Sequence, residues 1–332
     1  MIETVCQVEL PVDETLKIKK NRLMPLKIGK KEDRKRISIV TGIHGDELEG
    51  QYICYEVIRR IKEKPELLNG IVDIYPAMNP LGIDSVTRGI PGFELDMNRI
   101  FPGDKKGAMT EYIANQILTD ISGSDLCVDL HASNIYLMEV PQIRINQLHR
   151  EKLLPFAKQM NVDFIWIHGA NTVLESTLAY SLNDRGIPTL VVEAGVGMRI
   201  TEEYGEQITD GLFYVMQKLG IWQGEEKKGR CPILSDQEDG VYYFNASQAG
   251  IFLPEAKHGA KLEKGELVGR IVNPLSGEVL SEVRTFHRGI LFTIREYPVV
   301  EEGSLLGRLL VQDEKRNEKG KQRLGSERKD EK

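Results

Sequence analysis

Four side chains in this sequence have types and spacing suited to metal-dependent hydrolysis: His44, Glu47, His131 and Glu193. His44 and Glu47 form a His-x-x-Glu pair, whose imidazole and carboxylate can bind one metal ion, and His131 can add a second imidazole. Two histidines and one carboxylate with a fourth position open are typical of a catalytic zinc site. Glu193 could then take a proton from water and pass it to a leaving amine. The pattern predicts one zinc ion per chain and hydrolysis of an amide.

The positions of these residues after apolar runs support a shared site. Predicted strands at 37–42, 126–130 and 189–193 each run into, or end at, one of the candidate residues. Ligands of open α/β sheets bind at the carboxyl ends of strands. An isolated His-x-x-Glu pair would be weak evidence, because a histidine at a strand end is more often an ordinary hydrogen-bonded residue. Three converging strand ends favour the metal site.

Four short blocks follow one another along the chain: His-Gly-Asp-Glu at 44–47, Asn-Arg-Ile-Phe-Pro-Gly at 98–103, Asp-Leu-His at 129–131 and Val-Glu-Ala-Gly at 192–195. These blocks closely resemble the succinylglutamate desuccinylase and aspartoacylase family, whose members are related to the zinc carboxypeptidases. Their common order over residues 37–310 is far more specific than any single block. The resemblance implies that His44, Glu47 and His131 are zinc ligands and that Glu193 is the general base.

The same resemblance implies three further site residues. Asn98 and Arg99 match the pair that holds a substrate carboxylate, and the planar fork of an arginine suits a carboxylate bidentately. Arg88 matches the arginine that polarises the scissile carbonyl. In a plainer interpretation, Arg99 would pair only with Asp96 or Glu94.

The favoured function is removal of an acyl group from a small N-acyl amino acid or a related amide that carries a carboxylate. Zinc would bind water, Glu193 would deprotonate it, and the hydroxide would attack the amide carbonyl. A metallocarboxypeptidase acting on short peptides needs the same groups and stays an alternative. A non-catalytic zinc-dependent sensor is disfavoured, because pure binding needs no base at Glu193. The identity of the substrate stays open, and so does the role of His168, which also follows an apolar run.

The order of apolar periodicities predicts an α/β fold. Residues 1–222 are expected to form a zinc carboxypeptidase-like domain, with a mostly parallel or mixed sheet and helices on both faces. The other predicted strands lie at 71–77 and 164–167, and the predicted helices at 49–62, 108–121, 150–159, 176–184 and 201–219. Short strands separated by glycine turns predict a small all-β, barrel-sandwich-like domain at 231–311. The resemblance implies that this domain borders the active site, and residues 312–332 are expected to form a charged, disordered tail.

Composition excludes several classes of protein. The 332 residues carry a formal net charge of -6 from 44 basic and 50 acidic residues, mixed along most of the chain. No basic face suggests nucleic-acid binding. Four widely spaced cysteines form no Cys-x-x-Cys pair, which argues against a zinc ribbon or a disulfide framework.

Without a leader-like start or an apolar run of roughly 18 residues, no membrane is expected, and cytoplasm is the default location. The expected partner is a small-molecule substrate, and a homo-oligomer stays open.

Overall fold

The computed structural model describes residues 1–26, 34–92, 94–169, 175–235 and 240–312. The chain divides into two compact units, of which unit 1 comprises residues 1–135 and 140–236, and unit 2 comprises residues 136–139 and those after 236. The second unit therefore starts later than the predicted residue 231 and also takes a short stretch from the middle of the chain. The predicted tail at 312–332 lies outside the described residues, except for Gln312.

Unit 1 is built on a mixed sheet. Its strands are β1 (Ile2–Glu9), β2 (Thr15–Leu23), β3 (Arg36–Thr41), β4 (Ile71–Tyr75), β5 (Leu126–His131), β6 (Leu137–Asn146), β7 (Phe164–His168), β8 (Thr189–Gly195) and β9 (Ile233–Ser235). The first three residues of β6, 137–139, belong to unit 2. They follow the order β1-β2-β4-β3-β5-β8-β6, with β7 on β6 and β9 on β7. The pairs β3/β4, β3/β5, β5/β8, β6/β7 and β7/β9 are parallel, whereas β1/β2 and β2/β4 are antiparallel. The predicted mostly parallel sheet is confirmed.

Helices cover both faces of this sheet, as predicted. They are α1 (Glu49–Glu63), α2 (Pro80–Ser85), α3 (Met109–Ile121), α4 (Arg150–Ala157), α5 (Leu178–Asp184) and α6 (Glu202–Lys218). Helix α1 buries Ile53, Val57 and Ile61, which share one face because they are four residues apart. These three side chains belong to one core cluster with residues of α4 and α6, while α3 and α5 contribute to another. Two cores on opposite faces hold the strands, and hence their carboxyl ends, in place.

The β1–β2 hairpin and strand β6 were not predicted from the sequence. The β1–β2 hairpin lies at the edge, and its residues are mostly half-exposed or exposed, so it lacks the apolar run of a central strand. Strand β6 contains Pro141, and a proline within a run weakens the strand signal because it has no backbone N–H to donate.

Unit 2 is all-β, as predicted. Its strands are β10 (Val241–Asn245), β11 (Gly250–Pro254), β12 (Lys261–Leu262), β13 (Leu267–Asn273), β14 (Glu278–Arg284), β15 (Gly289–Arg295), β16 (Val299–Val300) and β17 (Leu305–Val311). One antiparallel sheet has the order β14-β13-β11-β16, and in the other β15 pairs with β12, β17 and residues 137–139, and β17 also pairs with β10. Phe252, Val268 and Leu291 lie in its core. Among the described residues of the whole chain, no helix is long and apolar enough to cross a membrane.

Candidate active site

The carboxyl ends of three neighbouring parallel strands bring the predicted metal and base residues together. His44 and Glu47 lie in the turn between β3 and α1, and His131 is the last residue of β5. Glu193, in β8, is the register partner of His131 across the parallel pair. Because parallel strands all end at one edge of the sheet, residues distant in sequence meet there.

A close approach of the backbone at Gly45 brings a fifth predicted residue, Arg88, to the site. A Cβ atom on Gly45 would lie 2.0 Å from the carbonyl carbon of Gly82, so only glycine fits without a backbone shift. The Gly45 N–H donates to the carbonyl oxygen of Arg88 at 3.3 Å. The turn that carries His44 and the loop that carries Arg88 are therefore held side by side.

The carboxylate of Glu47 lies between the two histidine rings. Its Oε1 is 2.7 Å from Nδ1 of His44, and its Oε2 is 2.9 Å from Nδ1 of His131. The ring centroids of the two histidines are 5.1 Å apart, and all three side chains are buried. The backbone N–H of Ala132 also donates to Oε2 of Glu47 at 3.2 Å. Both Nδ1 atoms therefore face one carboxylate.

Each histidine also faces an aspartate through its other ring nitrogen. Nε2 of His44 lies 3.0 Å from Oδ1 of Asp96, and Nε2 of His131 lies 3.1 Å from Oδ2 of Asp129. A carboxylate at this position favours a proton on Nε2, which leaves the Nδ1 lone pair for a metal. The rings of both histidines are thus oriented for binding through Nδ1.

The charged neighbours of Glu47, His131 and His44 shift their pKa values towards the ionised forms. Burial opposes ionisation of Glu47, but the two histidines outweigh it and hold its pKa well below the ordinary range. Burial likewise opposes protonation of His131, yet Asp129 and Glu47 raise the pKa of that ring well above its usual value. For His44, burial again opposes protonation, and Asp96 and Glu47 raise its pKa. The anionic groups therefore create a strong local preference for positive charge.

These residues fit a divalent metal. One ligand atom from each of His44, Glu47 and His131 can be chosen so that all lie within 4.8 Å of one another. Nδ1 of His44 is buried and makes no well-aligned hydrogen bond within the described ranges, as expected of an atom whose natural partner is a cation. Two imidazoles and one carboxylate match the donor set of catalytic zinc sites.

Arg88 lies beside the metal-binding cluster. Its Nη1 donates to Oε1 of Glu47 at 2.8 Å, and its Nη2 lies 3.5 Å from Oδ2 of Asp96. The Arg88 side chain is 42% exposed, so part of the guanidinium faces solvent. Arg88 therefore places a fixed positive charge next to the cluster.

Asn98 and Arg99 lie on a short 3-10 helix, Met97–Arg99, that follows Asp96. The Asn98 side chain is buried, and its Oδ1 accepts the backbone N–H of Leu178 at 2.9 Å. Its amide NH₂ is therefore the part that could donate to a substrate. Arg99 is exposed, and its Nη1 donates to the carbonyl oxygen of Asn98 at 2.8 Å. Asp96 forms ion pairs with His44 and Arg88.

Glu193 faces an arginine that the sequence analysis did not single out. Nη1 of Arg144, in β6, lies 3.2 Å from Oε1 of Glu193. The Arg144 guanidinium also lies over the ring of Trp166 at 5.9 Å from its centroid. The available signal was a charged residue between Ile143 and Ile145 in an otherwise apolar run, and it gave no partner.

His168, whose role the sequence left open, ends strand β7. Its Nδ1 lies 3.0 Å from the carbonyl oxygen of Gly169, and its ring is edge-on to Trp166 at a centroid distance of 6.5 Å. His168 therefore packs against the Trp166 ring.

The chain resembles known enzymes over most of its length. A model of the succinylglutamate desuccinylase/aspartoacylase catalytic domain matches residues 33–219. The chain is 25% identical over 285 residues to the N-alpha-acetyl-L-2,4-diaminobutyric acid deacetylase of Halomonas elongata, which covers 83% of this chain and 82% of that protein.

Solved structures share the fold. A product-bound structure of the ectoine utilization protein EutE (DoeB) from Ruegeria pomeroyi matches with a TM-score of 0.76 and 21% identity, covering 92% of this chain and 93% of that one. A succinylglutamate desuccinylase/aspartoacylase from Rhodobacter sphaeroides also matches with a TM-score of 0.76, at 23% identity, covering 94% of this chain and 96% of that one.

Proposed function

This chain belongs to the succinylglutamate desuccinylase/aspartoacylase family, and on that basis we propose that it removes the acyl group from a small N-acyl amino acid or a related amide that carries a carboxylate. The observation that carries the proposal is the buried cluster of His44, Glu47 and His131 with Glu193 in register beside His131. This arrangement combines a metal-binding set and a carboxylate base at the same edge of the sheet.

We propose zinc as the metal, one ion per chain, held by Nδ1 of His44, Nδ1 of His131 and the carboxylate of Glu47. When bound, zinc would supply Lewis acidity to the scissile carbonyl and lower the pKa of water to roughly 7. Asp96 and Asp129 lie beside the Nε2 atoms of the two rings, at 3.0 Å from His44 and 3.1 Å from His131. Such partners commonly fix the tautomer of a ligating histidine.

Glu193 is the proposed general base. Its carboxylate takes a proton from the attacking water, and a C–O bond forms as the amide carbonyl becomes tetrahedral. The same carboxyl then gives that proton to the nitrogen of the leaving amine as the C–N bond breaks. The products are a carboxylic acid and an amine. Arg88 would stabilise the negative charge that develops on the carbonyl oxygen.

The amide NH₂ of Asn98 and the guanidinium of Arg99 are the proposed anchors for the substrate carboxylate. They lie next to each other on one 3-10 helix, so an anion bound by both would have a defined orientation. Holding this end of the substrate lowers the entropic cost of placing the scissile amide at the metal.

Relatives guide the choice of substrates. One is named for deacetylation of N-alpha-acetyl-L-2,4-diaminobutyric acid, and family names include desuccinylation of succinylglutamate and deacylation of N-acyl aspartate. These compounds share an amide, an α-carboxylate and a short acyl group. The three differ in the charge of the acyl group and of the amino-acid side chain, so a panel of them can define specificity.

The experiment is measurement of amine release by zinc-loaded protein from N-acetyl and N-succinyl amino acids and from blocked dipeptides. Glu193→Gln should lose most turnover, on the order of 100-fold to 10,000-fold, because it removes the base. Glu206→Gln, an exposed glutamate on α6, is the matched control and should retain full activity.

Turnover restricted to small acyl groups supports the deacylase. Preference for blocked dipeptides would instead identify a carboxypeptidase that uses the same groups. Turnover that is unchanged by Glu193→Gln would contradict the proposed role of this residue as the base.

A further inference from the structure

A row of three side chains runs across adjacent strands beside the metal-binding cluster. Arg144 in β6 and Trp166 in β7 are register partners, and Glu193 in β8 faces Arg144 from the next strand. Glu193 is in turn the register partner of His131 in β5. The row therefore connects an aromatic ring, a guanidinium and the proposed base to a metal ligand.

We propose that Arg144 is a positioning residue that holds the carboxylate of Glu193 in one orientation for proton transfer. This inference rests on the proposed function, because it assigns to Glu193 the role of the base. Arg144 acts through Glu193, and it has no proton-transfer role of its own because a guanidinium stays protonated throughout.

The guanidinium itself makes two contacts. It lies over the Trp166 ring at 5.9 Å from the centroid, within the range of a cation–π contact. Its Nη1 lies 3.2 Å from Oε1 of Glu193. The Arg144 side chain is 30% exposed and that of Glu193 14%, so both groups are partly removed from water. Trp166 thus limits the positions from which Arg144 can contact the carboxylate.

A base that takes part in two proton transfers depends on a contact that fixes its orientation. Glu193 must accept a proton from water at one atom and deliver it to nitrogen at another, and a displacement of about 1 Å can cost on the order of 100-fold in rate. A glutamate side chain has three rotatable bonds, and their freedom opposes a single productive orientation. The contact from Arg144 restricts that freedom.

A different role for Arg144 would be binding of an anionic acyl group such as succinyl. The two roles predict different kinetics. A positioning residue affects every substrate equally through kcat, whereas an acyl-binding residue affects only anionic acyl groups and does so mainly through KM.

The test compares Arg144→Met and Arg144→Lys with the wild type in the zinc-loaded protein, on matched N-acetyl and N-succinyl substrates. We expect Arg144→Met to lower kcat about 10-fold to 100-fold for both acyl groups, with KM changed less than about twofold. Arg144→Lys should recover part of kcat, because it keeps the charge without the planar fork. Arg185→Met, at an exposed arginine at the end of α5, should leave both constants unchanged.

Two further measurements separate positioning from a general structural effect. In a Glu193→Gln background, Arg144→Met should lower the residual turnover no further, because residues that act as a unit are not additive. In crystal structures of the zinc-loaded proteins, the Glu193 carboxylate should adopt one conformer in the wild type and several in Arg144→Met.

A rise in KM confined to N-succinyl substrates would overturn the proposal in favour of acyl binding. Unchanged kcat in Arg144→Met, or an identical Glu193 conformer in both crystal structures, would also overturn it. If the wild type turns over none of the substrates, the proposed function fails, and the crystal structures still decide whether Arg144 orients Glu193.

Discussion

Oδ1 of Asp96 lies 3.0 Å from Nε2 of His44, the ring nitrogen that does not face Glu47. The same carboxylate oxygen accepts the backbone N–H of Asn98 at 2.8 Å. Asp96 therefore connects a proposed metal ligand to the loop that carries the proposed substrate anchors. Such a partner both orients the imidazole and makes its other nitrogen a better electron-pair donor to a metal.

Asp96→Asn is expected to weaken zinc binding about 10-fold to 100-fold, because an amide cannot supply the negative charge that supports the ligating ring. Competition with a chromogenic chelator at fixed pH measures the change. Asp84→Asn, at an exposed position on α2, serves as the control. Equal affinities for Asp96→Asn and the wild type would show that the contact does not tune the metal site.

Zinc should stabilise the folded chain, because its ligands are assembled only in the folded state. At a free zinc concentration 100 times the Kd, the free energy of unfolding should rise by about 2.7 kcal/mol. At a fixed free zinc concentration the increment should shrink as pH falls through the raised pKa values of His44 and His131, because protons compete with zinc for their Nδ1 atoms. Denaturant unfolding with zinc or with chelator at two pH values tests this, and an increment that persists in His44→Ala would place the stabilising zinc elsewhere.

Glu49 should make the chain less stable as pH rises. Its side chain is 1% exposed, its Oε2 accepts the Thr201 N–H at 2.9 Å, and burial raises its pKa from 4.5 to about 7. Between these values the unfolded chain releases a proton that the folded chain keeps. The free energy of unfolding therefore falls with increasing pH across this window, by at most about 3 kcal/mol.

Glu49→Gln should remove this contribution, because the amide does not titrate and can still accept the Thr201 N–H. Denaturant unfolding of both proteins from pH 4.5 to 7, in the presence of chelator, gives the difference. The stability of the variant relative to the wild type should increase with pH. A constant difference would mean that Glu49 has the same pKa in the folded and unfolded chain.

Cysteine reactivity should be confined to Cys231, which is the exposed one of the four free thiols. Burial raises the pKa of Cys6 to about 11 and that of Cys54 to about 12, and it raises the pKa of Cys127 well above its ordinary value. A thiol that is buried and protonated does not react with a disulfide reagent. Titration with such a reagent at pH 8 should label one thiol in the folded protein and four after unfolding, and Cys231→Ser should show none before unfolding.

The residues that the sequence revealed are those whose chemistry is tied to strand ends. His44, His131 and Glu193 follow apolar runs, and the parallel order of the strands brings such residues to one edge. Position along the chain was sufficient to predict that these side chains meet, because the topology of an α/β sheet restricts where strand ends can lie. The α/β class and the all-β C-terminal part were also confirmed. Both were predictable because they follow from the periodicity of apolar residues.

Contacts that depend on side chains from irregular or interrupted segments were not predictable in this way. Arg144 lies in a strand that contains Pro141, and its partner Glu193 is on a strand that is adjacent in space but not in sequence. Asp96 reaches His44 from a loop segment that lies beside the turn after β3, where the Gly45 N–H donates to the carbonyl oxygen of Arg88. No periodicity encodes such a path, since each step depends on local turn geometry.

Residues 136–139 belong to unit 2, although the chain on both sides of them belongs to unit 1. Leu137, Met138 and Glu139 pair with Arg295, Ile294 and Thr293 of β15. During synthesis this short stretch leaves the ribosome long before the strand it pairs with, so its backbone groups find their partners only after β15 has been made. Unit 2 therefore cannot complete its sheet from the C-terminal sequence alone, and a gene fragment that begins after residue 236 would encode a sheet with one strand missing.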